Sequence, residues 1–356
     1  MLQQWYAVRR FFRRAVGWNR LGVLLSITII AVAGVVLFHM LRDIDVAEVV
    51  AALRATSRRQ IIAATLFVAA GYFTLTFYDL FALRTIGRGD IPYRVAALAG
   101  FTSYSIGHNV GATVFSGGAV RYRVYSAYGL DAVAVAKVCF VAGLTFWLGN
   151  ATVLGLGIIL HPAAAEPIDH LPFWLNRGLG VLMLLVLASY VAWVWSAPRM
   201  IGKGGWEVRL PSGPSTLVQI GIGILDLGYS ALAMYMLLPN EPNIGFATIL
   251  VVFVAATLLG FASHAPGGLG VFDAAMLVAL WQFNKEDLLA GLLLFRLLYY
   301  LTPFVIALAI LGARELWLSL RRPHHLSQKP PPPTLHVASP PRSKAEAERV
   351  DADRPW

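Results

Sequence analysis

Long apolar stretches alternate with short polar segments along most of this chain. An α-helix needs roughly 20 mostly apolar residues to cross a hydrocarbon core about 30 Å thick. Stretches of about that length are Leu21–Leu41, Ile61–Leu83, Val133–Leu160, Gly178–Trp195, Thr216–Leu238, Ile244–Phe261 and Leu288–Gly312. Together with a polar, glycine-rich interval between residues 95 and 130, they predict an all-α polytopic membrane protein with about eight spans.

Basic residues between the apolar stretches predict how the chain is oriented. They cluster in the segments 9–20, 84–94, 199–209 and 314–322. The loops 161–176 and 239–243 contain neither Lys nor Arg. Because cytoplasmic loops are enriched in Lys and Arg, we expect a bacterial inner-membrane protein with both termini in the cytoplasm. The first stretch is interpreted as an anchor, since it is long and no small-residue cleavage pattern follows it.

Two glycine-rich runs interrupt the apolar pattern. The first, Ser103–Arg123, lies between two segments that are both predicted to be cytoplasmic, so the chain must enter and leave on one side. The second, Ser263–Asp273, contains Pro266 and three glycines, which break a helix. Irregular backbone is tolerated inside a membrane only where protein or a water-filled cavity covers it. Each run therefore predicts a re-entrant hairpin or a broken helix.

The two runs hold comparable positions in the two halves of the chain. Asp79 lies in an apolar stretch before the first run, and Asp226 lies in one before the second. The charge pattern predicts opposite directions for these two stretches. A weak inverted repeat follows, and in transporters paired broken segments of this kind point to the substrate site.

The composition agrees with a bilayer environment and separates three parts of the chain. Only 13% of the residues are charged, whereas soluble domains have about 25%. We expect a basic cytoplasmic N-terminus over residues 1–20, a transmembrane domain over residues 21–315 and a disordered, proline-rich cytoplasmic tail over residues 316–356. The single cysteine, Cys139, excludes an internal disulfide framework.

Several charged residues fall within or beside apolar stretches, where each charge costs roughly 2.5–3.5 kcal/mol on insertion scales. Asp79 and Asp226 lie inside such stretches, and Arg121, Arg123 and Arg296 lie in or next to them. One interpretation is a set of ion pairs that hold helices together. The other is a buried, hydrated cluster of the three arginines that binds a lipid phosphate, which guanidinium groups contact through two parallel hydrogen bonds.

The remaining polar residues match no metal or cofactor motif. His108 and His264 each lie in a glycine-rich run, but with Asp273 they lack the spacing of a metal site. The sequence contains no Walker loop, dinucleotide fingerprint or nucleophile elbow in a suitable context. We therefore expect no metal, no cofactor and no nucleic-acid partner.

Four segments of the sequence carry a resemblance to a known family. They are Tyr78-Asp79-Leu80, residues 107–126 with Gly107-His108-Asn109 and Ser116-Gly117-Gly118-Ala119-Val120-Arg121-Tyr122-Arg123, His264-Ala265-Pro266-Gly267-Gly268-Leu269-Gly270-Val271-Phe272, and Arg296-Leu297-Leu298-Tyr299-Tyr300-Leu301-Thr302-Pro303. Spread over about residues 20–315, they resemble the membrane domain of the lysylphosphatidylglycerol synthetase family. That domain is the flippase half of the multiple peptide resistance factor, and it is the whole of stand-alone homologues of the YbhN type.

The resemblance implies a membrane domain that moves aminoacylated phosphatidylglycerol between leaflets. Bifunctional members continue into a soluble aminoacyl-transferase domain, whereas this chain ends soon after its last predicted span. We therefore expect the translocase part alone, with its lipid cargo left open. The alternatives are a membrane-embedded transferase acting on a lipid-linked substrate and an accessory subunit of a lipid-modifying complex.

The resulting prediction is a lipid-binding site in a polar cavity between the two repeats. Arginines are expected to hold a lipid phosphate, and aspartates are expected to balance them or to contact a cationic headgroup. The residues of this predicted site are Asp79, His108, Asn109, Ser116, Gly117, Gly118, Arg121, Arg123, Asp226, His264, Gly267, Gly268, Asp273, Arg296, Tyr299 and Tyr300. The expected partner is a membrane phospholipid, and a separate lipid-modifying enzyme and a second copy of the chain are further candidates.

Overall fold

The computed structural model describes residues 56–320, apart from residues 112, 165, 167–170, 205 and 264, together with Ala47, Val50, Ala51 and Arg54. The described residues up to Glu315 belong to one compact unit, and residues 316–320 belong to a second. The predicted first span Leu21–Leu41 and most of the predicted tail therefore lie outside the described residues.

The first half of the described chain is built from five helices, and four of them, all except the third, begin after a capping residue or a proline. They are α1 (Arg58–Thr85), α2 (Tyr93–Val110), α3 (Thr113–Tyr125), α4 (Ala132–Leu160) and α5 (Phe173–Ser196). The Ser57 hydroxyl accepts a hydrogen bond from the Gln60 amide at the start of α1, in a capping box. The Asp131 carboxylate accepts one from the Ala134 amide at the start of α4.

The second half follows a short antiparallel hairpin of β1 (Met200–Ile201) and β2 (Val208–Arg209). Its helices are α6 (Gly213–Leu237), α7 (Phe246–Ala262), α8 (Val271–Ala279), α9 (Lys285–Phe295) and α10 (Thr302–Leu320). A π-helical turn, Arg296–Leu301, joins α9 to α10. The three segments therefore run on as one long helix.

Apart from α5, which has no counterpart in the second half, the two halves repeat one order of elements: a long helix, a shorter helix, a break, another shorter helix and a long helix. The long first helices, α1 and α6, pack directly on each other. In this contact the ring of Phe67 stacks on Tyr229, and the Tyr78 hydroxyl donates a hydrogen bond to Asp226. The repeated order agrees with the predicted repeat, and the opposite direction of the halves across a membrane stays a prediction.

Within the described residues, five helices are long and apolar enough to span a membrane. They are Arg58–Thr85, Ala132–Leu160, Phe173–Ser196, Gly213–Leu237 and Lys285–Trp317. The apolar helices Phe246–Ala262 and Pro266–Ala279 are shorter. The protein is therefore an all-helical, polytopic membrane protein, as the hydrophobic pattern predicts.

The first glycine-rich run forms a broken helix, and its break is narrower than the run itself. The helix α2 ends at Val110, Gly111 adopts a φ of +81°, and α3 begins at Thr113. Other glycines of the run allow α2 and α3 to pack closely, since a Cβ atom at Gly117 would lie 3.1 Å from the Ser103 carbonyl oxygen. The two helices consequently form a tight hairpin.

The second glycine-rich run is irregular over a longer segment. The helix α7 ends at Ala262, a 3₁₀ turn covers Pro266–Gly268, and α8 begins at Val271. Gly267 and Gly268 have φ values of 60° and 61°, which side chains other than glycine rarely adopt. The glycines here are needed for backbone conformation, in contrast to Gly117 in the first run.

Close glycine packing also joins the two halves of the fold. The helices α4 and α6 cross where Gly149 faces Gly223, and a Cβ atom at Gly149 would lie 2.6 Å from the Gly223 Cα atom. Small residues at such crossings let membrane helices approach through their backbones. The contact therefore fixes the positions of the helices that surround the interior polar residues.

Candidate functional site

A buried ion pair connects α1 to α3. The Nε and Nη2 groups of Arg121 donate hydrogen bonds of 2.7–3.1 Å to the Asp79 carboxylate, which also accepts one of 2.7 Å from the Tyr125 hydroxyl. The Asp79 side chain is fully buried. The Arg121 guanidinium carbon lies 5.0 Å from the centre of the Tyr104 ring, within the range of a cation–π contact. Both carboxylate oxygens of Asp79 are thus satisfied inside the protein.

A second ion pair fixes the break between α7 and α8. Arg296 donates to the Asp273 carboxylate from Nη2 and from Nε, the latter over 2.9 Å, and its Nη1 donates to the Gly267 carbonyl over 3.4 Å. Asp273 also accepts a hydrogen bond from the Gly270 amide at the start of α8. The pair therefore links the π-helical turn to the irregular glycine segment.

The third arginine of the predicted site is also held by a carboxylate. The Nη2 group of Arg123 lies 2.6 Å from the Glu315 carboxylate, which belongs to α10. Arg121, Arg123 and Arg296 are thus bound by three different acidic side chains. These contacts agree with the interpretation of ion pairs that hold helices together, and a cluster of the three arginines around a lipid phosphate stays a prediction.

The two glycine-rich runs meet at a central cavity of about 170 Å³, which is large enough for several water molecules or a small polar group. His108 and Thr113 line it from the first run, and Gly267 and Gly268 line it from the second. Residues of α1, α4, α6, α7, α8 and the π-helical turn also line it. The interrupted segments therefore cover a shared interior space, which is the condition for irregular backbone in a membrane.

Among the described residues that line this cavity, Asp226 is the only one with a carboxylate. Its Oδ2 atom accepts a hydrogen bond of 2.9 Å from the Tyr78 hydroxyl. Its Oδ1 atom is buried and has no hydrogen-bond partner in the protein. Buried polar atoms are nearly always hydrogen-bonded, because an unsatisfied one costs about 1–3 kcal/mol and more when it is charged. Asp226 is therefore the residue of the cavity wall that a nearby cation or hydrogen-bond donor would stabilise most.

Aromatic and hydroxyl side chains surround this carboxylate. Tyr104 lies edge-on to both Tyr78 and His108, with ring centres 5.6 and 5.5 Å apart. The Ser230 hydroxyl donates to the Tyr299 hydroxyl over 3.1 Å. Because Tyr104 also contacts Arg121, a continuous set of side chains connects the cavity to the ion pair of α1 and α3.

The π-helical turn places two consecutive tyrosines, Tyr299 and Tyr300, on the cavity wall. Single π-helical turns inside α-helices are frequent at functional sites. Pro303 lacks the amide that would bond to the Tyr299 carbonyl in an α-helix. The Tyr72 hydroxyl donates to that carbonyl over 2.9 Å, and Asn109 Nδ2 donates to the Tyr300 carbonyl over 3.2 Å. Side chains of α1 and α2 therefore bond to the backbone of the widened turn.

Comparison with known proteins identifies the family. The chain is 30% identical over 271 residues to the uncharacterized protein slr0712 of Synechocystis, a match that covers 76% of this chain and 84% of that protein. It is 28% identical over 275 residues to the inner membrane protein YbhN of Escherichia coli, covering 75% of this chain and 84% of YbhN. The chain belongs to the YbhN-type membrane proteins. No protein-family model matches it.

YbhN-type proteins share this region with larger enzymes. The chain is 24% identical over 300 residues to the phosphatidylglycerol lysyltransferase of Staphylococcus haemolyticus. The match covers 80% of this chain but 33% of the lysyltransferase. The similarity therefore extends to one part of the larger protein, in agreement with the resemblance to its membrane domain.

The predicted site residues of this YbhN-type protein fall into two groups. Those that line the cavity are His108, Asp226, Gly267, Gly268, Tyr299 and Tyr300. Of the others, Asp79, Arg121, Arg123, Asp273 and Arg296 form the ion pairs, and Asn109 bonds to the π-helical turn. In α3, the Ser116 hydroxyl donates to the Gly111 carbonyl over 2.9 Å, and Gly117 and Gly118 pack against neighbouring helices. His264 lies outside the described residues, and lipid binding by any of these residues stays a prediction.

Sequence reasoning missed several polar residues of the cavity region, among them Tyr78, Tyr104 and Ser230. Tyr104 precedes His108 by one helical turn and Ser230 follows Asp226 by one turn, so i, i+4 spacing could have placed both on the same helix faces as the predicted residues. Tyr78 is adjacent to Asp79, but its side chain bonds to Asp226 in another helix. Only the tertiary structure reveals that contact.

Proposed function

We propose that this YbhN-type protein is a lipid translocase, and that its central cavity takes up a positively charged phospholipid headgroup as the lipid passes between leaflets. The observation that carries the proposal is the buried, unpartnered Oδ1 atom of Asp226 in a cavity built from both glycine-rich runs. A buried carboxylate without a counter-ion is costly. An ammonium group in the cavity would supply its missing partner.

The architecture supports transport through this cavity. In many transporters the substrate site lies at the interface of two structural repeats, beside helices that are interrupted by Gly or Pro. The cavity here lies between the two halves and contacts both helix breaks. The ion pairs Asp79–Arg121 and Asp273–Arg296 hold the helices around it. We therefore assign these arginines to shaping the cavity, with Asp226 as the headgroup contact.

The similarity to staphylococcal proteins favours a particular headgroup. Those relatives are named phosphatidylglycerol lysyltransferases, and the product of a reaction of that name is a phospholipid with amino groups. Such a headgroup has the charge that Asp226 requires. An aminoacylated phosphatidylglycerol is therefore the cargo that we propose for this chain.

The experiment reconstitutes the purified chain into liposomes of phosphatidylcholine and phosphatidylglycerol, neither of which has a primary amine, with lysyl-phosphatidylglycerol added. An impermeant amine-reactive reagent then reports how fast lysyl headgroups appear on the outer surface. We expect movement well above that in empty liposomes, and a loss of about tenfold or more for Asp226→Asn, which corresponds to about 1.4 kcal/mol or more.

Asp90→Asn is the matched control. Asp90 is exposed between α1 and α2, where hydrogen bonds from Arg88 hold the pKa of its carboxyl below the ordinary value. We expect this variant to move the lipid at the wild-type rate. Wild-type liposomes that move no more lipid than empty ones, or an Asp226→Asn variant as fast as wild type, would contradict the proposed function.

A further inference from the structure

A second void lies beside the central cavity, between α3 and α4. It is a groove of about 810 Å³, near the upper end of the range of about 300–1,000 Å³ for ligand pockets. One wall is the face of α3 from Val114 to Tyr122, and the other is the face of α4 from Ala132 to Trp147, with Trp206 completing the lining. Residues at helical spacing on two packed helices therefore line one groove.

The lining of this groove is almost entirely apolar. Small residues, among them Gly118 and Gly143, form part of its walls, and aromatic rings such as Phe140 and Trp147 lie along it. The stretch Ala132–Trp147 extends over about 22 Å at 1.5 Å per residue. That length exceeds half of a hydrocarbon core of about 30 Å, so the groove matches a long hydrocarbon chain better than a compact polar ligand.

The groove adjoins the central cavity. Val114 and Phe115, at the start of α3, line both spaces, and the Phe115 side chain is 81% exposed within the protein. On α4, Phe146 lines the cavity, and its neighbour Trp147 lines the groove. Phe261 packs against both of these rings. The two residues that both linings share among the described residues, Val114 and Phe115, are therefore apolar.

We propose that the groove between α3 and α4 holds an acyl chain of the lipid whose headgroup enters the central cavity, an inference that rests on the proposed function. The hydrophobic effect does not draw a chain from the bilayer into a groove, since lipid tails are equally apolar. A headgroup bound in the cavity, however, brings its own acyl chains to the cavity wall. The groove provides an apolar path from that wall to the bilayer.

Gly143→Leu tests the path by filling it. A Cβ atom at Gly143 would meet nothing within 4 Å, so the new side chain extends into the groove without displacing backbone, and leucine favours helix over glycine. Gly178→Leu in α5 is the matched control, because Gly178 also faces open space but does not line the groove. We expect Gly143→Leu to slow the movement of long-chain lysyl-phosphatidylglycerol several-fold and Gly178→Leu to leave it unchanged.

A cross-linking experiment locates the chain directly. Lysyl-phosphatidylglycerol that carries a diazirine in one acyl chain is photolysed in the same liposomes, and the modified peptides are mapped by mass spectrometry. We expect labels concentrated on 114–122 and 132–147, and a marked reduction of these labels in Gly143→Leu. Labels spread evenly over lipid-facing helices, with α5 labelled as strongly as α4, would identify ordinary boundary lipid and overturn the inference.

The two proposals fail in different ways. If Asp226→Asn is slow but Gly143→Leu moves lipid at the wild-type rate, the groove inference is wrong and the proposed function stands. If wild-type protein moves no lipid, the proposed function is wrong, and the cross-linking map alone decides whether the groove holds an acyl chain. Labels in the groove would then support it, and evenly spread labels would exclude it.

Discussion

Asp79 and Asp226 are two buried carboxylates on neighbouring helices, and they differ in almost everything that surrounds them. Asp79 accepts hydrogen bonds from Arg121 and Tyr125, and both of its oxygens are occupied. Asp226 lines a cavity and accepts one from Tyr78, and its other oxygen is buried without a hydrogen-bond partner in the protein. The residue type is the same, so the surroundings decide that one carboxylate holds helices together and the other is available to a ligand.

This difference has an energetic consequence. Removing one partner of a buried ion pair leaves an uncompensated charge and typically costs about 3–5 kcal/mol. The carboxylate of Asp226 has no such partner among the described residues. Replacing it with asparagine removes a negative charge that no basic side chain there neutralises. Stability and transport should therefore respond in opposite ways to changes at the two positions.

The largest effect on stability is expected for Arg121→Met. It leaves Asp79 buried with only the Tyr125 hydroxyl as a donor, and we expect the free energy of unfolding to fall by about 3–5 kcal/mol. Thermal unfolding of the purified protein in detergent measures the change. In the double variant Asp79→Leu with Arg121→Met, both charges are absent and most of the loss should be recovered. A double variant as unstable as the single one would contradict the assignment of this pair.

A smaller effect is expected for Arg296→Lys. Lysine keeps the positive charge but cannot reach Asp273 and the Gly267 carbonyl with one planar group. The pair is partly exposed, so we expect a loss of about 1–2 kcal/mol. Unfolding in the same detergent gives the value, with Arg88→Lys in the exposed loop as the control. Equal stability of Arg296→Lys and wild type would show that the bidentate geometry does not hold the second break.

The smallest effect on stability is expected for Asp226→Asn. The substitution keeps the shape of the side chain and an acceptor for the Tyr78 hydroxyl, so the free energy of unfolding should stay within about 1 kcal/mol of wild type. The same variant should be the poorest in lipid movement. If it unfolds as readily as Arg121→Met, Asp226 is a structural residue and the contrast between the two carboxylates disappears.

The local features of the fold were predictable from the sequence. Spans such as Val133–Leu160 agree with α4 (Ala132–Leu160) because apolar length reports directly on a membrane helix. The helix breaks were predictable because Gly and Pro change the backbone conformation at their own positions, whatever the rest of the fold does. The width of the first break was not, since glycines that break a helix and glycines that allow two helices to touch look the same in one sequence.

The partners of the charged residues could not be predicted. The sequence left open whether Arg121 binds a lipid phosphate or a carboxylate, and Asp79, its actual partner, is 42 residues away. The same limitation applies to the bond between Tyr78 and Asp226. Which helix faces meet depends on the whole packing, and a periodic apolar pattern in nearly uniformly apolar helices does not specify it.

Pro303 illustrates how a missing backbone hydrogen bond in one helix can provide an acceptor for a side chain of another helix. Its ring removes one amide from the ladder, and the carbonyl of Tyr299 that this amide would have occupied is bonded instead by the Tyr72 hydroxyl. The hydrogen bond between α1 and the π-helical turn therefore forms at a carbonyl that is free because Pro303 has no amide hydrogen. Any other residue at position 303 would have an amide that competes with the Tyr72 hydroxyl for the Tyr299 carbonyl oxygen. Pro303 thus helps to attach α1 to the turn without forming a hydrogen bond to α1 itself.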